Sequence, residues 1–220
     1  MFDKIISVIS LIFLFPLIII VSILIIIFSG FPILYLDKRV GLNYNKFDVI
    51  KFRTMLKNSG SSITVKDDHR ITLIGKYLRF LKLDEIPQFI NILKGDMSLI
   101  GPRPEAINIV NSYGNYFNYL KYIKPGITDI CSIIFKNEEN LLNIDKNIIY
   151  TKNILPIKAD LSLLFYKNKI ANNKVLILFL TFISIFNHEL SLRIIGKYFL
   201  PFEEREIRIR LNKILSIKIF

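Results

Sequence analysis

Leu78-Arg-Phe-Leu-Lys-Leu-Asp-Glu-Ile-Pro-Gln-Phe-Ile-Asn-Ile-Leu-Lys-Gly-Asp-Met-Ser-Leu-Ile-Gly-Pro-Arg-Pro104 is the stretch on which the fold turns. Ile74, Tyr77, Leu78 and Leu81 stand at i, i+3, i+4 and i+7, which predicts a helix over 70–81 with Arg79 off its apolar stripe. Ile86, Phe89, Ile90 and Leu93 repeat the spacing in a second helix. Asp84 is placed as its N-cap, Glu85 and Pro87 in its first turn, and Gly95 at its end. In Gly101-Pro-Arg-Pro104 each proline fixes its own φ and restricts the residue before it. Arg103 is therefore carried on a stiff extended turn, a good support for gripping a phosphate with two hydrogen bonds.

Upstream, Lys46-Phe-Asp-Val-Ile-Lys-Phe-Arg53 reads as a strand. Alternation places Phe47, Val49, Lys51 and Arg53 on one face, so two cations end that face. Residues 57–66 are Ser/Gly-rich and read as a loop.

Further upstream, Ile5–Phe28 is apolar apart from three serines, and as a helix would run about 36 Å, enough to cross a bilayer. The run is too long for a signal peptide, and no small-x-small cleavage site follows it. Pro16 sits at its midpoint and predicts a kink there. Lys4 precedes the run, and Lys38 and Arg39 follow it, so charge does not assign the flanks to opposite sides. Two topologies satisfy these features: a straight span that tolerates its proline, and a re-entrant helix-break-helix with both ends cytoplasmic.

Downstream, Val175–Phe186 is too short to span and suits a buried or interfacial position. Phe202–Phe220 sets Ile207, Leu211, Ile214 and Lys218 on one side against Arg205, Arg208, Arg210 and Lys213. That pattern predicts a basic amphipathic helix for an anionic surface or a partner.

Composition agrees with membrane contact: 52% of the 220 residues are hydrophobic and the mean hydropathy is +0.43. The formal net charge of +12 suits an anionic membrane or an anionic substrate. The basic residues form no aromatic-interleaved stripe, which argues against nucleic-acid binding. Cys131 is the only cysteine, so no disulfide forms within the chain, and the presence of only His69 and His188 beside it argues against a zinc site.

Acidic residues at a helix start are routine caps. Three features make Asp84-Glu85 more than that. The pair lies at a sharp junction between two helices; Lys51, Arg53, Arg79 and Arg103 surround it in the sequence; and a helix start is itself an anion site. An aspartate can attack phosphorus and divide a hard transfer into two steps. A divalent cation, most naturally Mg²⁺, is then expected between carboxylate and phosphate, with Asp84 as its ligand.

Residues 78–104 closely resemble the bacterial sugar transferases, the monotopic polyprenol-phosphate phosphoglycosyl transferases. Arg39-Val-Gly41, Lys51-Phe-Arg-Thr-Met55, Asp68-His-Arg-Ile-Thr72 and Lys124-Pro-Gly-Ile-Thr128 match further segments of that family in the expected order. The resemblance is strong from about residue 30 to 128, weaker before it and over 130–190, and absent after 195. It implies an α+β, predominantly helical protein: a re-entrant membrane helix over 1–30, a catalytic domain over 31–195 with amphipathic interfacial helices, and a basic helix over 196–220. It also implies transfer of a phospho-sugar from a UDP-sugar to undecaprenyl phosphate on the cytoplasmic face of the bacterial inner membrane, releasing UMP. By position, Asp84 would be the nucleophile and Mg²⁺ ligand, and Glu85 would assist in proton handling or in placing metal and substrate. Arg79 and the Pro102-Arg103-Pro104 turn would hold the diphosphate, with Lys51 and Arg53 near the phosphates and Pro16 at the membrane break. Downstream glycosyltransferases are possible partners. The competing reading is a non-catalytic, basic, membrane-anchored scaffold that keeps the fold.

Two departures stand out. The family commonly has Ser-Pro at the membrane break where this chain has Phe15-Pro16, and Gly-Trp-Ala-Gln where this chain has Asp129-Ile-Cys-Ser132. The second falls where the choice of sugar could be made.

Overall fold

A computed structural model describes residues 1–56, 68–136, 154–167 and 173–199, together with Ile207, Ile209, Leu211 and Asn212. The predicted loop at 57–66 lies outside these residues, as does almost all of the predicted helix at 202–220.

Helix α1 (Phe2–Ser29) is a single helix of 28 residues, about 42 Å long at 1.5 Å per residue. It continues through Pro16, so the expected break is not an interruption of the helix. The proline removes one donor, the N–H that would meet the Ile12 carbonyl, and the turns on either side carry the helix past it. Only 11% of its most apolar 18-residue stretch is buried against the rest of the protein. One stripe faces inward. Ile6 and Ser7 meet the main core near its start, and Val21 and Ile25 pack with Phe52, Leu78 and Ile86 near its end. Ile12, Phe13, Phe15, Ile23 and Ile27 on the other side are exposed.

The chain then forms the antiparallel pair β1 (Leu34–Val40) and β2 (Lys46–Phe52), in register Tyr35 to Lys51 and Asp37 to Val49. Helix α2 (Leu73–Phe80) follows, with Thr72 as N-cap accepting from the Gly75 N–H at 3.0 Å. A Cβ on Gly75 would lie 2.2 Å from the Thr54 carbonyl oxygen, so only glycine lets α2 sit this close to the end of β2. Lys82 takes a left-handed φ of 59°, and Leu83–Glu85 wind one 3₁₀ turn before α3 (Gln88–Lys94). Asp84 is therefore in the turn before the helix and not its N-cap. Pro87 holds the cap position, where its missing N–H costs nothing. Gly95, at φ 94°, ends α3 as expected.

Strand β3 (Ser98–Ile100) pairs in parallel with β5 (Gly126–Thr128), and β4 (Glu105–Ala106) adds to β1, giving the sheet order β2-β1-β4. Helix α4 (Ile107–Ser112) and a 3₁₀ segment at Gly114–Lys121 lie between β4 and β5. A Cβ on Gly126 would lie 2.2 Å from the Gly101 nitrogen, which explains the glycine in Pro125-Gly126. Beyond β5 come α5 (Ile130–Ile134), α6 (Leu155–Lys167), α7 (Lys174–Phe186) and α8 (His188–Tyr198). The main core runs from Val40 and Val49 through Leu99, Phe117 and Ile133 to Leu161, Leu180 and Ile195. The domain boundary expected at 195–196 thus falls inside α8, whose Ile195 is a core residue. As the apolar run of α7 predicted, one side is buried through Ile177, Leu180 and Ser184, while Val175, Phe179, Phe182 and Phe186 are exposed.

Candidate active site

Asp84 and Glu85 follow the left-handed Lys82, and both are buried, at 8% and 9% exposed. Asn91, completely buried on α3, sets their height against the sheet. Its side-chain oxygen accepts from the Ile50 N–H at 2.9 Å, and its amide donates to the Asp48 carbonyl at 2.7 Å. The side chain behaves as a short stretch of strand on the edge of β2. This locks α3, and the dyad before it, beside the strand that carries Lys51. Sequence reading passed over Asn91, because a polar residue inside a short helix gives no sign of the strand it will meet.

The two carboxylates have different surroundings. Glu85 accepts two hydrogen bonds from Arg103, at 2.9 and 3.2 Å, and Lys82 comes within 4.0 Å. Burial alone would raise its pKa. The charges of Arg103 and then Lys82 outweigh burial and hold the carboxyl well below the usual range. Asp84 has no such partner, and its Oδ1 is buried without a hydrogen bond. Burial first, and then the negative charge of Glu85, push its pKa up to about 6. A desolvated carboxylate without donors is a stronger nucleophile than a solvated one, and Asp84 is the member of the pair in that state.

Lys51 is near the pair. Its pKa is lowered by burial and then by Arg39 and Arg103, with Asp37 and Glu85 opposing. Asp37 is a second residue that the sequence reading missed. It accepts from Arg39 Nη2 at 2.6 Å and from Lys51 Nζ at 3.2 Å. The register explains the contact: Asp37 opposes Val49, so Lys51 is its diagonal neighbour on the same face. Arg39 also donates to the Pro104 carbonyl at 3.4 Å, tying β1 to the Pro102-Arg103-Pro104 turn. The only signal available in the sequence was the Asp-x-Arg alternation in β1, which reads equally well as surface charge.

Arg79 lies beside the dyad and Arg53 away from it. Arg79 donates from Nε to Thr54 Oγ1 at 3.0 Å and lies within electrostatic reach of Asp84. Arg53 is turned away from the dyad. Its backbone N–H still donates to the Ile33 carbonyl at 2.9 Å, one step beyond the Leu34–Phe52 pair, while its side chain reaches the end of α1. Its buried guanidinium donates to the carbonyls of Phe31 at 2.8 Å, Gly30 at 2.6 Å and Ser29, capping the C-terminal end of α1. At the other end of α1, Asp3 accepts from Ser98 Oγ at 2.5 Å and pairs with Lys174 of α7 at 2.6 Å. Both ends of the apolar helix are thus bonded to the same domain. Among the described residues, no cluster of three or more His, Cys, Asp or Glu forms an all-protein metal cage.

The sequence is similar to those of known proteins. The chain is 35% identical over 148 residues to a UDP-N-acetylgalactosamine-undecaprenyl-phosphate N-acetylgalactosaminephosphotransferase of Aeromonas hydrophila, covering 63% of this chain and 35% of the relative. It is 33% identical over 155 residues to the exopolysaccharide production protein ExoY of Sinorhizobium fredii, covering 62% and 69%. It is 38% identical over 137 residues to a UDP-glucose:undecaprenyl-phosphate glucose-1-phosphate transferase of Xanthomonas campestris, covering 57% and 28%. The match thus spans about a third of the length of the first and third of these relatives and about two thirds of the second. The model of the family described as bacterial sugar transferase matches residues 1–188, from the apolar helix to the start of α8, and the chain belongs to that family.

Proposed function

We propose that this chain transfers a sugar phosphate from a UDP-sugar to undecaprenyl phosphate, with UMP as the leaving group and Asp84 as the nucleophile. The observation that carries this reading is the asymmetry of the dyad: Asp84 desolvated and without a donor, Glu85 pinned by Arg103. The relatives' names supply the reaction class.

In the first step a carboxylate oxygen of Asp84 bonds to the phosphorus that carries the sugar. The bond from that phosphorus to the bridging oxygen breaks, and UMP departs with the electron pair. In the second step a phosphate oxygen of the lipid bonds to the same phosphorus. The Asp84–phosphorus bond breaks, and a sugar diphospho-lipid and the free carboxylate result. The acceptor oxygen is a phosphate oxygen, ionised near neutrality with a second pKa of about 6, so the second step requires no base. This suits Glu85, which is held too far below neutrality to take up protons, and its proposed role is to orient Arg103. Arg103 and Lys51 bind the donor's diphosphate, and Arg79 steers it toward Asp84.

The residues fit a magnesium ion. Mg²⁺ is bound through one or two carboxylates together with substrate phosphates and water, and the buried, partnerless Oδ1 of Asp84 beside Glu85 offers such a ligand. When bound, it would offset the repulsion between carboxylate and phosphate.

We also infer that the domain lies on one leaflet, at the cytoplasmic face. The support is that Asp3 and Ser29–Phe31, at opposite ends of α1, are bonded to the same domain, whereas a straight span would carry one end away. Leu73, Tyr77 and Phe80 of α2 and the phenylalanines of α7 add exposed apolar surface.

Purified protein in lipid nanodiscs, given a panel of UDP-sugars with undecaprenyl phosphate and Mg²⁺, should release UMP from at least one donor. Asp84→Asn should abolish both release and the trapped covalent adduct; full activity in that variant would refute the mechanism. Cysteines placed at Phe2 and at Phe31 should both react from the cytoplasmic side. Labelling of one from the outside would refute the one-leaflet arrangement.

A further inference from the structure

A cavity on the far side of Arg103 is not used by the reading above. Lys82 and Arg103 form part of its wall, both within 4.0 Å of Glu85, so it abuts the dyad. Pro102, Glu105 of β4 and Tyr119 continue the wall, and the side away from the dyad comes from α5 and α6, through Asp129, Ser132 and Ser162 among others.

The hydrogen bonds already made determine what this wall offers a ligand. Ser132 Oγ donates to Asp129 Oδ1 at 2.5 Å, and the Ser132 N–H donates to the same oxygen at 2.6 Å. Ser162 Oγ donates to the Lys158 carbonyl at 2.8 Å. Both hydroxyl protons are therefore directed into the protein, and each serine presents oxygen lone pairs. Asp129 takes both of its bonds on Oδ1, which leaves Oδ2 as a further acceptor. One cation of the wall is engaged elsewhere: Lys136 donates to the carbonyls of Ser184 and Ile185 at the end of α7. The Lys158 ammonium stays at the wall, 5.7 Å from the centre of the Phe135 ring that also lines the cavity, where its charge acts on Asp129. The cavity thus places cations beside the dyad and adds acceptors from α5 and α6.

We propose that this cavity holds the sugar ring of the donor, with Asp129, Ser132 and Ser162 accepting from its hydroxyls and thereby selecting which sugar is transferred. A phosphate has no protons to give such acceptors near neutrality, and an isoprenoid chain would leave them buried and unsatisfied. A hexose brings several O–H donors, and its C1 oxygen is bonded to the phosphorus that Asp84 attacks. The ring must therefore lie in a space that abuts the dyad. The inference rests on the donor being a UDP-sugar, and the experiment separates the two.

For wild type, Ser132→Ala and Ser162→Ala, kcat/KM would be measured with each UDP-sugar of the panel, and UMP affinity by equilibrium dialysis. Loss of one acceptor should lower kcat/KM for the preferred donor by about 10-fold or more and narrow its lead over other donors. UMP binding should stay within about twofold, since UMP lacks the sugar ring. Ser162→Thr, which keeps the hydroxyl and adds a methyl, should reorder the donors without abolishing turnover. If UMP affinity falls in step with kcat/KM, the cavity holds the nucleoside and the proposal is overturned. Equal losses for every donor, or none, overturn it as well. Failure of the wild type to release UMP from any UDP-sugar would instead overturn the donor assignment itself, and this proposal with it.

Discussion

The pKa of Asp84 makes a prediction that an ordinary aspartate would not. With a pKa of about 6, half of Asp84 is ionised at pH 6. Only ~9% is ionised at pH 5 and ~91% at pH 7, so attack on the donor should slow about tenfold between pH 7 and pH 5. An aspartate at the ordinary 3.8 would still be ~94% ionised at pH 5, and the rate would hardly change. The assay must isolate the first half-reaction, because the lipid phosphate itself titrates with a pKa of about 6 and would add its own limb. Single-turnover UMP release, without acceptor and below saturating donor, meets that condition and reports ionisation in the free enzyme. Glu85→Gln supplies an internal control. The negative charge of Glu85 is the second cause of the raised value, so its removal should move the acid limb to lower pH, whatever it does to the maximal rate. A profile flat down to pH 5 in the wild type would refute the claim that Asp84 is held desolvated and without donors.

Three further outcomes follow from the same contacts. Asp84→Asn should stabilise the fold at pH 7.5 by about 1–3 kcal/mol while abolishing activity, because it removes a buried charge whose folded pKa lies above its unfolded value. That destabilisation is complete above about pH 6 and absent below about pH 3.8, so the gain in thermal midpoint should disappear in acid. Arg53→Leu should release the end of α1 and lower the thermal midpoint without a direct effect on donor binding, as read by unfolding in detergent and UMP affinity. Arg53→Lys should restore only part of the loss, since an ammonium cannot match the guanidinium fork. Asp37→Asn should raise KM for the donor by about 10-fold, the scale of one hydrogen bond to a charged group, with Asp37→Glu recovering part of it. It should also move any alkaline limb of kcat/KM to lower pH, because Lys51 loses its nearest counter-charge while Arg39 and Arg103 still repel its proton.

The helices around the dyad were legible because their apolar residues recur at helical spacing, and the Pro-Arg-Pro turn because proline stiffens the chain whatever surrounds it. The pairing of Arg103 with Glu85 was not. Eighteen residues separate them, and the contact depends on β3 being held against β5 by the close approach of Gly101 and Gly126. The capping role of Arg53 was hidden for a related reason: the carbonyls it meets at the end of α1 lie 22 to 24 residues earlier in the chain. Asn91 and Asp37 were invisible because each acts across a register that the sequence does not specify. The N-cap expected at Asp84 failed because the left-handed Lys82 begins a 3₁₀ turn that ends before α3 starts. Where a residue's role comes from helical spacing or a proline's fixed φ, the sequence was sufficient. Where it comes from the partner across the sheet, only the assembled fold revealed it.

The anchoring of α1 at both ends has a consequence for how such a domain can be combined with others. Asp3 and Arg53 tie the two ends of the helix to one body. If the domain lies on one leaflet as proposed, a helix held in this way does not reverse the sidedness of the polypeptide passing through it. A module joined ahead of it would therefore remain in the same compartment as one joined behind the catalytic domain. Such a unit can be placed at different points of a longer chain without changing the number of membrane crossings its neighbours need. Relatives several-fold longer than the region they share with this chain are what that freedom would permit.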